Sequence, residues 1–577
     1  MRAHVTRGTG PALASLAVLG AVILGAVLRL DDALSSPVLP AEDSFSNTAI
    51  VREHLRDGTL DPFNEGGSLY PPGMHAYVAA VWVYTGADIY QHARFLPALF
   101  GLVGIVGVAL LVARWDSPLG AFAAAVAMAV QPEAVFRTSM FAPTAVDLAV
   151  LPFLLYALLE LLHGKLEWGG VAAPLALFLT LAHPWLLTVI AAAGFLYAVV
   201  AAILPMRDTM IPALTARGLA LAVAIVGVGS GLALAGCWGA CGPGFRDVFP
   251  GGARLAAFAP YVMVAALLPA AILFGVRRAK PPRAQPTRKP LPWGAKAAMS
   301  ALLAVALAAI SAPAFSQGMP PYVDLPRMIG LPILILAAVA LIALPFIASP
   351  AANVGAAFTL VCYPMVIYNP FHSDFWSHRT VAFLALGLAI LAGVAVAAAF
   401  RGAASAFNAQ RLAGTDALKM GGRPVFAAVP VILVLLAVGG VAAATPAPYE
   451  GGWYRLYEPC PFDAFQEIAK KAEAEPAAIV VTGDWRPKLV LASLTPNASR
   501  VWFDEEFFAS RSYQDAVVQG LLGEGRPVYA IVDEYLRNTT SATERDFDHS
   551  PWTPAGRWCD ETPEHRVAAY VAGGEGS

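Results

Sequence analysis

The stretch "AEDSFSNTAIVREHLRDG", residues 41–58, brings carboxylates, an amide and an imidazole together in a short span of chain. Read as a helix, it makes Asp43 a natural N-cap, because a short acidic side chain there accepts a bond from an orphan backbone N–H. Asn47 lies four residues on and His54 eleven, both within roughly 40° of Asp43 at 100° per residue. One face then carries Asp43, Asn47 and His54, with Glu42 beside them. A carboxylate so placed can deprotonate a weak nucleophile, and nearby polar groups can stabilise an anionic leaving group. The plain alternative is a capped helix lying on a membrane surface.

Other ionisable groups stand at the ends of apolar runs. They are Glu133 and Arg137 in "QPEAVFRTSMFAPTAVD", His183 in "LTLAHPW", Asp324 and Arg327 in "PPYVDLPRM", and His372, Asp374, His378 and Arg379 in "NPFHSDFWSHRTVAF". At a membrane edge such groups are costly unless paired or functional; singly, each reads as a solvated loop charge. His372 and His378 with Asp374 between them could ligate a metal, though the spacing fits no strong ligand pattern. Tyr70-Pro71-Pro72-Gly73 is a rigid turn that launches a second amphipathic helix. "GVGSG" at 227–231 and "GLVGIVG" at 101–107 follow no strand and read as close helix packing.

The elements that must position these residues are apolar helices. The chain of 577 residues is 58% hydrophobic and 14% charged, with mean hydropathy +0.61, whereas soluble domains carry about 25% charge. This composition makes it a polytopic α-helical membrane protein, and no nucleic-acid partner is expected. Thirteen transmembrane spans are predicted, near 11–30, 95–114, 117–132, 144–162, 168–183, 185–204, 212–235, 255–275, 296–315, 328–347, 352–368, 380–400 and 424–444. Only His183-Pro184 divides the fifth from the sixth. The first run lacks a clear cleavage site and is expected to be retained. The positive-inside rule supports the count. Met1–Gly10, the basic segment 276–296 and segment 401–423 all fall on the cytoplasmic side. The chain therefore divides into a multi-span portion, 1–444, with a long first exterior loop at 31–94, and an exterior α/β domain, 445–577. That domain holds 21 Asp+Glu against 12 Lys+Arg and alternates helix-like stretches with β-type runs. It also carries both Asn-x-Ser/Thr sequons, at Asn497 and Asn538. Four cysteines fall outside the membrane, and pairing Cys237 with Cys241 and Cys460 with Cys559 is the local choice among three.

The string "RL…PAEDSFSNTAIVREHLRDGTLDPF…YPPGMHAYVAAVW…ARFLPAL" resembles the first loop of membrane glycosyltransferases of the GT-C superfamily. The positions of Asp43, Asn47, Arg52 and Gly58 resemble the catalytic subunit of oligosaccharyltransferases, whose layout is also thirteen spans and an exterior domain. The "YPPGMHAY…ARFLPAL" half resembles the aminoarabinose and protein-mannosyl transferases. The resemblance implies transfer of a sugar from a polyprenyl-phosphate-linked donor to a glycan, lipid or protein acceptor on the exterior face. It implies catalytic roles for Asp43 and Glu42, with Asp43 as general base or as ligand of a divalent cation, Mg or Mn. It implies donor binding by Arg379, His378, Asn47, His54, Tyr70, Arg137 and His183. Asp43 and Arg379 are expected within roughly 10–15 Å of each other, flanking one sugar phosphate. Three departures argue against peptide-sequon recognition. Thr144 stands near the place of the second family acid, with Asp147 a little inside the next span. The loop "SAPAFSQGMPPYVDLPR" lacks the acceptor-binding glutamate. In "VVTGDWRPK" only Asp484 and Trp485 echo the Trp-Trp-Asp-Tyr-Gly motif. A non-catalytic receptor and a transporter are the alternative classes.

Overall fold

A segment too apolar for water and too long for a soluble core must satisfy its backbone internally, and in lipid that means helix. The computed structural model describes residues 9–57, 73–86, 88–183, 185–203, 215–240, 291–317, 324–347, 349–368, 374–412, 457–495, 500–539, 547–562 and 565–573, and for some of these, including 9–14, 233–240, 313–317, 374–378 and 403–412, the backbone alone. The helices before the sheet are α1 (Thr9–Ser35), α2 (Glu42–Asp57), α3 (Gly73–Thr85), α4 (Ile89–Trp115), α5 (Pro118–Val130), α6 (Pro132–Arg137), α7 (Pro143–Leu162), α8 (Gly169–Ala182), α9 (Trp185–Ile203) and α10 (Ala216–Ala240). They continue as α11 (Trp293–Gln317), α12 (Leu331–Ile342), α13 (Leu344–Ile347), α14 (Pro350–Tyr368) and α15 (Asp374–Leu412).

Among the described residues, five helical segments are long and apolar enough to cross a membrane: α4, α7, Trp293–Ala312, α14 and Arg379–Gly402. The predicted spans at 11–30, 117–132, 168–183, 185–204, 212–235 and 328–347 also coincide with apolar helices, α1, α5, α8, α9, α10 and α12, and α8 and α9 do break at His183. Those at 255–275 and 424–444 lie outside the described residues, as do Cys241, His372 and Tyr70. The helix α15 runs through the middle of the bundle against α5 and α14, with Leu384, Ala389, Ile390 and Leu391 wholly buried. Small residues permit that approach: a Cβ on Gly393 would stand 2.6 Å from the Cβ of Ala124. The glycine runs read as packing serve that purpose. A Cβ on Gly107 would meet Pro152 at 2.9 Å, and one on Gly229 would meet Leu187 at 2.6 Å.

The C-terminal described region opens with α16 (Pro459–Ala474). Then follow β1 (Ile479–Thr482), α17 (Trp485–Leu494), β2 (Val501–Phe503), α18 (Glu505–Ala509), α19 (Arg511–Gly523), β3 (Val528–Val532), α20 (Glu534–Thr539), β4 (Trp552–Trp558) and β5 (Val567–Ala572). Its sheet runs β2-β1-β3-β5-β4; β1 pairs in parallel with β2 and β3, and β5 is antiparallel to β3 and β4. Alternation along β3 sends Tyr529 and Ile531 to the α16–α17 side, and Val528, Ala530 and Val532 to the α18–α19 side. A disulfide joins Cys460 to Cys559 across 99 residues. The side chain of Cys237 is outside the described residues, so that second pairing has no structural counterpart here.

This region sits on the first loop. Phe462 stacks on Tyr90 at 5.7 Å and lies 6.5 Å from Phe45, within one apolar cluster that also holds Val38, Leu39 and Val490. Arg52 Nη1 donates to the carbonyl of Leu494 at 2.8 Å. The helix α2 is therefore packed beneath the domain against α17 rather than lying free on a surface. Helix α3 is not amphipathic in the predicted sense. It buries Met74, His75 and Val78 but exposes Tyr77, Val83 and Tyr84, an apolar outward face.

Candidate active site

Helix α2 begins two residues earlier than expected. Ala41 adopts a left-handed conformation (φ 60°), so Glu42 is the first helical residue and Asp43 is not the cap. Both carboxylates instead stand in the first turn, where the free N–H groups favour negative charge. Burial pushes the Glu42 carboxyl up from its ordinary value, Asp43 adds to the rise, and Arg379 and Arg486 oppose it.

The feature that organises the site is an ion pair between the first loop and α15. Arg379 Nη2 donates to Asp43 Oδ2 at 3.3 Å, across 336 residues of sequence. Arg379 is buried and Asp43 half-buried. The expected separation was that of two groups flanking a phosphate; the observed one is direct contact. His378 precedes Arg379 in α15, but its side chain is outside the described residues.

Asn47 is fully engaged. Its Nδ2 donates to the carbonyls of Asp43 (2.7 Å) and Phe141 (3.0 Å), so its Oδ1 accepts from His75 Nε2 at 2.7 Å. Ser44 helps by accepting from the Phe141 amide at 2.9 Å. These bonds fasten α2 to the loop between α6 and α7 and hold Asp43 in place. His75 was absent from the expected site, because its string reads as a turn entering a helix; the Asn47 contact spans 28 residues and leaves no local signal. His54 is buried with its ring 6.3 Å from that of His75.

Burial, and next the neighbouring His54, hold the His75 imidazole down at about 3 from 6.5. The unfolded chain takes up a proton at His75 below about pH 6.5, and the fold does not until about pH 3. Stability from the neutral ring is thus present above pH 6.5 and is lost as pH falls, at about 1.4 kcal/mol per unit. The substitution His75→Gln keeps a donor for Asn47 and removes the titration. It is expected to flatten the fall in melting temperature between pH 6.5 and 4.5, read by thermal unfolding of the purified protein.

Two further predicted positions are buried pairs rather than solvated loop charges. Arg137 Nε donates to Glu133 Oε1 at 2.7 Å, with side chains 2% and 0% exposed. His183 Nδ1 lies 2.7 Å from Asp147 Oδ2, again with both buried, and the His183 ring sits 5.7 Å from that of Phe383, one turn along α15 from Arg379. Arg29, unassigned by sequence, donates to Thr138 Oγ1 at 2.6 Å and to the carbonyls of Ala129 and Met128. The ends of α1, α5, α6, α7, α8 and α15 therefore carry buried polar groups that are paired or hydrogen-bonded.

The donor set around Asp43 does not make up a divalent-cation site among the described residues. Among the described residues no group of three or more His, Cys, Asp or Glu comes together, and the Asp43 carboxylate faces a guanidinium.

No family model matches the chain, and no curated protein matches its sequence. Solved structures do match. The archaeal oligosaccharyltransferase AglB from Archaeoglobus fulgidus, in complex with an inhibitory peptide and a dolichol-phosphate, aligns with TM-score 0.59 and 12% identity, over 91% of this chain and 70% of that one. An Archaeoglobus fulgidus oligosaccharyltransferase in complex with Zn and sulfate aligns with TM-score 0.57 and 13% identity, over 90% and 68%. ArnT from Cupriavidus metallidurans aligns with TM-score 0.49 and 16% identity, over 97% and 98%. The fold of this chain is that of the Archaeoglobus fulgidus oligosaccharyltransferases.

Proposed function

We propose that this chain transfers a sugar from a polyprenyl-phosphate-linked donor to an acceptor on the exterior face of the membrane, with inversion at the anomeric carbon. The N-terminus is then cytoplasmic and the C-terminal domain exterior. One observation carries the reading: Asp43 and Arg379, far apart in sequence, meet at 3.3 Å at the head of a membrane-spanning helix. The GT-C fold, shared with a protein solved with dolichol-phosphate, supports a lipid-phosphate donor.

An Arg fork matches phosphate oxygens better than it matches one carboxylate oxygen. Donor phosphate displaces Asp43 from Arg379, and displacement frees the carboxylate beside the anomeric carbon. The acceptor hydroxyl then gives its proton to Asp43 as its oxygen bonds to that carbon. The bond from carbon to phosphate oxygen breaks, and its electron pair leaves on the carrier phosphate held by Arg379. The base role falls to Asp43 rather than Glu42 because Asp43 is the carboxylate in direct contact with Arg379. Tyr70 and His378 belong to the donor side in this reading. Asn47, His54, Arg137 and His183 act behind it, holding α2 and the buried polar groups of the helix ends.

The test is sugar release from a panel of radiolabelled polyprenyl-phosphate sugars by the reconstituted protein, with and without Mg or Mn. Turnover of at least one donor is expected. The change Arg379→Lys, which keeps charge but not the fork, is expected to lower kcat/KM for that donor by about tenfold or more. Release from no donor under any condition would sink the reading.

A further inference from the structure

Open α/β sheets bind ligands outside the carboxyl ends of their strands, where the chain order reverses. In this sheet the chain leaves β1 for β2 on one side and returns to β3 on the other, so the reversal falls between β1 and β3. Thr482 at the end of β1 is level with Ile531 near the end of β3, and the strands lead directly into Asp484-Trp485-Arg486 and Asp533-Glu534-Tyr535. A Cβ at Gly483 would strike the side chains of Leu536 and Phe508, which close over this exit from β1.

One cation is built into that crevice. Arg486 Nη1 donates to Asp484 Oδ2 at 3.1 Å, and its guanidinium lies 4.2 Å over the Tyr535 ring and 4.9 Å over Trp485. Each partner is itself fixed. Asp484 caps α17 by accepting from the Arg486 amide at 2.9 Å, and Tyr535 packs edge-on against Tyr457 at 5.2 Å. Tyr457 donates to Asp533 Oδ2 at 2.6 Å, and burial above all pushes the Asp533 carboxyl up to about 6. The acids of the crevice are thus paired or hydrogen-bonded. The helix that carries this partly exposed guanidinium, α17, packs against α2, and its charge is felt at Glu42, where it opposes the rise.

We propose that this crevice binds an anionic group, a phosphate or a carboxylate, on the acceptor sugar, with Arg486 as the recognising cation across Glu42 from Arg379. The proposal rests on the transferase reading for the word acceptor, but binding can be measured without it. The full-length protein in lipid nanodiscs is titrated with a hexose phosphate, a hexuronate and the uncharged hexose by equilibrium dialysis. One or both anionic sugars are expected to bind at least tenfold tighter than the hexose, and the comparison of the two separates phosphate from carboxylate. Arg486→Gln is expected to abolish the difference, and Arg486→Lys to retain part of it, which guards against a merely misfolded variant. Arg511→Gln removes an exposed cation from the α19 side of the sheet and serves as the charge control. Equal binding of charged and uncharged sugars, or an anion preference untouched by Arg486→Gln, would overturn the site. Binding that depends on Arg486 without sugar transfer from any donor would sustain the site and overturn the transferase instead.

Discussion

Asp43→Asn is expected to lower the rate of sugar transfer by about a hundredfold to ten-thousandfold, the range in which a positioned general base contributes. The amide is nearly the same size as the carboxylate and can still accept one bond from Arg379, so the loop should keep its place. What disappears is the capacity to take a proton. Because Asn47 holds the Asp43 backbone carbonyl and His75 holds Asn47, the site is anchored independently of the charge. The readout is single-turnover transfer with donor saturating, alongside the melting temperature of the purified variant. Unchanged melting with lost turnover assigns the effect to chemistry. Full turnover in Asp43→Asn would leave Glu42 as the base or remove the site from this loop altogether.

The second large effect is structural. Arg137→Met is expected to cost about 3–5 kcal/mol, because it strands the wholly buried Glu133 carboxylate without its guanidinium. The pair itself need not be worth that much. Two charges withdrawn from water pay heavily for their attraction, and Glu133→Leu combined with Arg137→Met should recover most of the loss. Melting temperatures of the two single variants and the double variant decide the matter. A double variant as unstable as either single one would mean that the charges hold other buried polar groups, not merely each other.

The helices were legible because hydropathy is a local property; even the break at His183 showed, since proline follows it. Asp43 and Arg379 were legible by type and place, but their contact was not, for nothing local encodes a bond across 336 residues. The start of α2 was misplaced because a cap residue was read from side-chain chemistry, whereas the left-handed turn at Ala41 is set by how the chain re-enters the bundle. Glu133 and Arg137 looked like loop charges because a sequence shows that they lie beyond an apolar run, not that α1, α5, α7 and α15 pack around the short helix that carries them. Asp147 stood apart from the place where an acid was sought, and its partner His183 lies on the next long helix. Arg486 sat in plain view within "GDWRPK", but its meaning depends on which strands become neighbours.

Arg52 is bonded to the carbonyl of Leu494, 442 residues later. At a synthesis rate of about 5–20 residues per second, α2 leaves the ribosome roughly 20–90 s before the segment that covers it. For most of that interval the helix carrying Asp43 lacks α15, and for all of it the segment that covers it, so a half-made chain carries no formed site. Chains cut short anywhere before α17 should fail in the same way, inert toward the carrier pool rather than wasteful of it.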